Sequence, residues 1–249
     1  MESGALFFQT ILVYTQIMNR YQEFIKEYKK LVKPKQAKSL QGFFKTGKGE
    51  YGEGDVFLGI KVPIQRATVK RYYDLSIKDV VKLLKSEIHE HRLSALFILV
   101  HKYQKGDKVL KKQIFDLYLK NTKLINNWDL VDLSAPNIVG DYLKHRSRKI
   151  LYKLINSKNL WKRRIAILST FAFIRNNDFK DALAMIKSIL SDRHDLIHKA
   201  ASWMLREIGK RNLKLEENFL NMHHHKMPRI MLRYAIEKFS KTQQQGYLN

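Results

Sequence analysis

Trp128 and Asp132 stand four residues apart in the segment Ile125–Gly140 (INNWDLVDLSAPNIVG), so on a helix they share one face. A carboxylate beside an aromatic plane is suited to stabilising a cationic, oxocarbenium-like sugar in a transition state. The same residues have a plainer reading. A helical Trp commonly packs in a core, and Asp132 is placed to cap the chain near the kink expected at Pro136. Further along, Arg164, Lys199 and Trp203 carry the cations and aromatic surface that bind phosphates, sugars and bases. Trp203 follows Lys199 by four residues, as Asp132 follows Trp128.

Other chemistry finds less support. His223, His224 and His225 are consecutive, so they cannot all face one metal, and they read as a polar loop. His194 and His198 have the four-residue spacing of a metal pair, but the glutamate of an HExxH motif is missing and basic residues adjoin them. Gly42–Lys48 spells GxxxxGK, yet Gly49 stands where a phosphate-binding loop needs Ser or Thr, and no apolar strand precedes it. No serine sits in a G-x-S-x-G elbow. Without cysteine there is no disulfide, thiolate zinc site or cysteine nucleophile, which fits a reducing compartment. No fingerprint of a cofactor or metal appears, and none is expected.

The elements that position these residues are helices. Apolar residues recur at three- and four-residue steps in Asp79–Tyr103, Lys111–Leu119, Lys180–Leu190 and Leu196–Ile208, and no run alternates long enough for a sheet. A basic residue or Trp also recurs near the start of successive amphipathic helices: Arg92, Trp128, Arg164 and Lys199, at spacings of 36, 36 and 35. Helical stretches precede these helices, as Lys111–Lys120 precedes Trp128. A fixed period with two helices per unit predicts an all-α protein, a curved α-solenoid of HEAT-like repeats whose equivalent helices line one concave face. The expected layout is one domain over 1–249: N-terminal helices to 41, a loop over 42–60, repeats over 61–239 and a polar tail over 240–249. The loop rests on Gln41–Gly59, which holds six of the eleven glycines.

Composition names the partner. Lys and Arg total 47 against 23 Asp and Glu, a formal charge of +24, while 45% of residues are hydrophobic. A folded protein this basic tolerates its self-repulsion best beside a polyanion; nucleic acid leads, an anionic membrane surface comes second, and a merely basic surface is the bland alternative. The apolar stretch Ala5–Val13 is too short to span a bilayer and its leader carries Glu2 rather than a basic cluster, so it reads as a docking helix; Met18 would also open a sensible chain. The expectation is a soluble cytoplasmic protein, associated with a bacterial nucleoid and needing no membrane and no obligate protein partner.

Several segments in order resemble one family: FFKTGKGEYGEGDVFLGIKVP, HEHRLSALFILV, INNWDLVDLSAPNIVGDYL, LWKRRIAILSTFAFIR, DLIHKAASWMLREIGKR and MPRIMLRYAIE. Over roughly Gly42–Phe239 the chain is similar to the AlkD-like DNA alkylation repair glycosylases. The resemblance implies a HEAT-like solenoid holding duplex DNA and hydrolysing the N-glycosidic bond of cationic N3- or N7-alkylated purines, without base flipping. It implies that Asp132, in W-D-x-V-D, is the catalytic carboxylate, that Trp128 packs on the lesion nucleotide, that Arg164 contacts DNA, and that Trp203 is a second aromatic wall. Lys199 and Arg92, by their register, join the DNA-binding set. The glycine-rich insertion around Gly47–Gly54 is longer than in the best-known members.

One carboxylate suffices for this chemistry. Sugar hydrolases usually need a second group to protonate the leaving group, but a cationic alkylpurine departs neutral. The competing function is a non-catalytic module that binds distorted or branched DNA, or a protein scaffold. Both DNA-binding readings require affinity that falls steeply with salt, so release of a base discriminates between them.

Overall fold

The computed structural model describes residues 20–248. Among them are helices and turns with no strand beyond an isolated bridge between Val56 and Ile88, so the chain is all-α. The docking helix expected over Ala5–Val13 lies outside the described residues. Two compact units divide the chain, Met1–Leu110 and Lys111–Asn249.

The first unit contains α1 over 20–30, α2 (Pro34–Phe43), α3 (Val62–Val69), α4 (Ile77–Leu84) and α5 (His89–Lys105). Prolines open α2 and α3, where a missing N–H costs nothing. Asp79–Tyr103, expected as one helical stretch, is therefore two helices. Ser86 Oγ accepts the Ile88 N–H at 3.1 Å, and Arg92 Nη1 donates to the carbonyls of Ser86 and Glu87, each at 3.0 Å, which holds the break. From His89 to Leu99 every residue of α5 is buried, because α3 and α4 pack on it and the rings of Phe24 and Tyr28 close over His91. A helix covered on all sides needs no apolar stripe.

The glycine-rich segment, expected as a loop from 42, begins after α2 ends at Phe43, and residues 44–59 form turns and an extended stretch that returns to α5. The Glu90 carboxylate accepts the N–H groups of Leu58, Gly59 and Ile60 at 2.8 to 3.1 Å, so these buried amides are satisfied. Gly59 has φ of 85°, and a Cβ there would stand 2.3 Å from the Lys33 carbonyl oxygen; both conformation and space demand glycine.

In the second unit helix pairs follow one another. Here α6 (Lys108–Lys120), which starts at the unit boundary, precedes α7 (Trp128–Asp132), a wide helical turn over Pro136–Gly140 and α8 (Asp141–Leu143). Then come α9 (Lys149–Ile155) with α10 (Leu160–Ser169) and its continuation α11 (Phe171–Ile174), followed by α12 (Lys180–Ser188) with α13 (Asp195–Gly209). The last pair is α14 (Leu213–His223) and α15 (Arg229–Ala235), and α16 (Lys241–Leu248) forms where a polar tail was expected. The second helices α7, α10, α13 and α15 lie side by side in sequence order, while α9 backs α10, and α12 and α14 back α13. The period of 35 to 36 is thus a repeat of helix pairs.

Side-chain caps start several of these helices. Asn159 Oδ1 accepts from the amides of Trp161 and Lys162 at 3.0 Å, and Asn212 Oδ1 accepts from Leu215 at 3.1 Å. Among the described residues no helix is long and apolar enough to cross a membrane.

One carboxyl in this packing is buried deeply enough that the nearby Arg206 charge does not offset its desolvation. Glu216 on α14 is buried with Oε1 unbonded, its carboxyl filling the notch left by Gly209 on α13. Burial pushes this carboxyl up to about 8. The folded chain then holds a proton that the unfolded chain, with an ordinary value of about 4.3, releases earlier. Its contribution to stability is full below the unfolded value and is lost as pH rises through about 8. Thermal melting from pH 5 to 9 should show the wild type losing stability relative to Glu216→Gln as pH rises. Parallel curves would contradict this account of Glu216.

Candidate functional site

The sequence-predicted residues of the second unit fall on three adjacent helices. Trp128 opens α7 and Asp132 closes it, Arg164 is on α10, and Lys199 and Trp203 are on α13. Asn127 caps α7, its Oδ1 accepting the Trp128 N–H at 2.8 Å, which fixes the start of the short helix. Beyond Asp132 the chain widens into the turn at Pro136, so the carboxylate sits just before a break in regular helix. Such wide turns cluster at functional sites. The run comes close to α10 at Gly140, where a Cβ would stand 2.2 Å from the Ser169 carbonyl oxygen. Glycine at that point lets the backbones approach, and the approach brings Asp132 within reach of Arg164.

The two side chains meet in a bidentate ion pair. Arg164 Nε donates to Asp132 Oδ1 at 2.8 Å and Nη2 to Oδ2 at 2.7 Å, while Nη1 donates to the Leu196 carbonyl at the start of α13. One guanidinium thereby ties α7, α10 and α13 together, with three of its five N–H groups engaged inside the protein. The Arg164 side chain is 6% exposed and that of Asp132 is 16% exposed, so the arginine is sealed and the aspartate, mostly buried, keeps a small accessible surface. Burial pushes the Asp132 carboxyl above the ordinary carboxylate value, with the Arg164 charge pulling the other way. Two donors aimed at two oxygens favour the carboxylate, which accepts most strongly at both.

Two tryptophans stand on α7 and α13, helices that the ion pair joins. Trp128 and Trp203 are half-buried. The Trp203 ring lies 5.6 Å from that of Phe171, at the start of α11. Arg175 lies over the other ring, 4.0 Å from the Phe171 centroid. Lys199 Nζ stands 5.7 Å from the centroid of Tyr234 on α15, and the Arg206 guanidinium 5.4 Å from the same centroid. Phe171, Arg206 and Tyr234 were not singled out from the sequence. Tyr234 had a signal, because it follows Lys199 by 35 residues and so continues the repeat register.

Arg92 requires a correction. It lies in the first unit, buried, with Nη2 donating to Asp55 Oδ1 at 2.6 Å and Nη1 engaged by two carbonyls. Asp55 also pairs with His89 Nδ1 at 2.9 Å. Arg92 anchors the glycine-rich segment to α5 and presents no exposed charge to a polyanion.

The histidines carry other duties. His194 Nδ1 accepts the Leu196 N–H at 3.2 Å as the cap of α13, and the His198 ring bonds the Asp192 carbonyl at 2.6 Å. His223 ends α14, and His224 and His225 lie in the helical turn that follows. No group of three or more His, Cys, Asp or Glu is placed to hold a metal among the described residues.

Three comparisons bear on this arrangement. A family model described as DNA alkylation repair enzyme matches residues 24–239. Among solved structures, one described as a predicted DNA alkylation repair enzyme from Enterococcus faecalis superposes with a TM-score of 0.64 at 16% identity, covering 84% of this chain and 97% of that one. The crystal structure of smu.31 from Streptococcus mutans UA159 gives a TM-score of 0.52 at 18% identity, covering 88% and 98%. At these identities the two structures establish the likeness of fold. No curated protein matches the sequence.

The ion pair makes its own prediction. Removing one partner of a buried pair strands the other charge, at a cost of about 3–5 kcal/mol. Arg164→Met should destabilise the protein by that order in chemical denaturation, whereas Asp132→Leu combined with Arg164→Met should recover much of the loss. Additive losses in the double variant would show that the two charges do not depend on each other.

Proposed function

Because the chain belongs to the DNA alkylation repair enzyme family, we propose that it excises cationic N3- and N7-alkylated purines from duplex DNA by hydrolysing the N-glycosidic bond. The observation that carries this reading is an aspartate with a small accessible surface, fixed by a buried arginine, on helices that also carry Trp128, Lys199 and Trp203. The coarser role, in the repair of alkylated DNA, follows from the family.

In this reading the glycosidic C1′–N bond breaks as its electron pair moves onto the alkylated ring. The positive charge passes from base to sugar, and the base leaves neutral without an acid. Asp132 stabilises the sugar cation electrostatically. Water then adds to C1′, and its proton passes to the carboxylate or to solvent. Arg164 acts through Asp132: its fork sets the plane of the carboxylate and leaves the outward lone pairs of both oxygens for the sugar and the water. Trp128 and Trp203 pack against the nucleotide, and Lys199 neutralises phosphate. Neither metal nor organic cofactor enters these steps.

The same ion pair also favours a second reading, in which Asp132 is structural and the protein binds distorted or branched DNA without cutting it. Asp132→Asn separates the two. Single-turnover excision of N7-methylguanine should fall by at least about a hundredfold, the loss typical when a group stabilising transition-state charge is removed, while affinity for duplex stays within a fewfold. Excision left intact in this variant removes Asp132 from the chemistry.

The shifted carboxyl adds a pH dependence. Excision by the wild type should decline as acid protonates Asp132, with a midpoint above the ordinary aspartate value because burial raises it. A rate that is flat down to the ordinary aspartate value of about 3.9 would count against this role.

A further inference from the structure

The last repeat of the second unit brings two cations of α13 to a partly exposed aromatic ring on α15. We infer that Tyr234, Lys199 and Arg206 form a clamp for a backbone phosphate of the bound duplex, with Tyr234 as the residue that positions the cations. This rests on the proposal that DNA is the partner, and adds a contact the register alone did not assign.

Three observations converge on this clamp. Tyr234 occupies the position on α15 that Lys199 holds on α13, Arg164 on α10 and Trp128 on α7, since the period places it 35 residues after Lys199. The adjacent packing of α13 and α15 then continues the row of equivalent positions by one helix. Second, Tyr234 is 38% exposed, one of few large hydrophobic side chains so open in this unit. Third, two cations from α13 gather on its ring, at 5.7 Å and 5.4 Å from the centroid.

The charges around the ring are unbalanced. Arg206 pairs with Glu237, which is half exposed and screened by solvent. Lys199 has no carboxylate partner among the described residues, and the Tyr234 hydroxyl has no hydrogen-bond partner among them. An ammonium held against an aromatic ring without a counter-ion, beside an unused O–H donor, suits an oxyanion with several acceptor oxygens. A phosphodiester supplies both the charge and the acceptors. Lys199 and Arg206 also flank Trp203 on the same helix, at four residues before it and three after, so the clamp adjoins a proposed nucleotide-packing surface.

The ring and the hydroxyl have separable roles. The ring holds the cations in place, so they need not be ordered when the phosphate arrives; the hydroxyl donates to the phosphate. Leucine fills similar space without the ring quadrupole, and phenylalanine keeps the ring without the donor.

Affinity for an undamaged duplex, measured by fluorescence anisotropy over a range of salt concentrations, tests the clamp without any excision. Tyr234→Leu should weaken binding about fivefold, the size of a cation–π contact at a partly exposed site. Tyr234→Phe should lose less. Lys199→Ala should lower the slope of log affinity against log salt by about 0.9, one phosphate contact. Adding Tyr234→Leu to Lys199→Ala and Arg206→Ala together should cost no more than Tyr234→Phe costs alone, because no cation remains to be positioned and only the hydroxyl contact is lost. Thermal melting of Tyr234→Leu should match the wild type, which excludes a folding defect.

Wild-type affinity in Tyr234→Leu, or a loss that persists in full when both cations are absent, overturns the clamp while leaving the excision proposal standing. Tight binding of inorganic phosphate to Lys199 with no change in duplex affinity in Lys199→Ala also overturns it, marking a free-anion site. A wild-type protein with no salt-dependent affinity for duplex removes both this inference and the function it rests on.

Discussion

A buried charge must be met by another, and in the second unit that requirement falls on Arg164. Its guanidinium reaches from α10 to a carboxylate on α7 and to a carbonyl at the start of α13. Three consecutive repeats are thereby joined at the point where the proposed chemistry lies. Nonspecific apolar packing would hold α7, α10 and α13 together equally well, but would not fix the orientation of a carboxylate. The ion pair converts the stacking of helices into the placement of two oxygen atoms.

Much around this pair follows from its constraint. The short α7, the wide turn after it and the close approach at Gly140 bring the Asp132 end of α7 beside α10. With Arg164 sealed, the arginine organises an aspartate that keeps a small accessible surface. Burial costs the carboxylate some of its ease of ionisation, which a charge meant to act on a developing sugar cation can use, because low surrounding polarity strengthens the interaction. Structural demand and the proposed catalytic one therefore act on the same side chain in the same direction.

The repeat was legible because its period survives in residue type: a basic or aromatic residue recurs at Arg92, Trp128, Arg164 and Lys199. The family likeness read from ordered segments agrees with the family match over residues 24–239. Register, however, reports a position and not what the side chain meets there. Arg92 and Arg164 occupy equivalent positions, yet one is consumed by Asp55 in the first unit and the other by Asp132. The acid that met each arginine was 37 residues before one and 32 before the other, a pairing no local pattern announces. The break between α4 and α5 was hidden for the same reason, since Arg92 itself holds it by bonding two carbonyls. Tyr234 escapes a pattern of cations and tryptophans, because the last repeat uses another aromatic residue.

The most direct measurement is chromatographic analysis of what the protein releases from a duplex carrying N7-methylguanine, with chelator present and no nucleotide added. Free 7-methylguanine accumulating with protein concentration, and an abasic site left in the strand, is the result this account requires. A duplex that is bound, yet keeps every methylated base on its sugar, would contradict it.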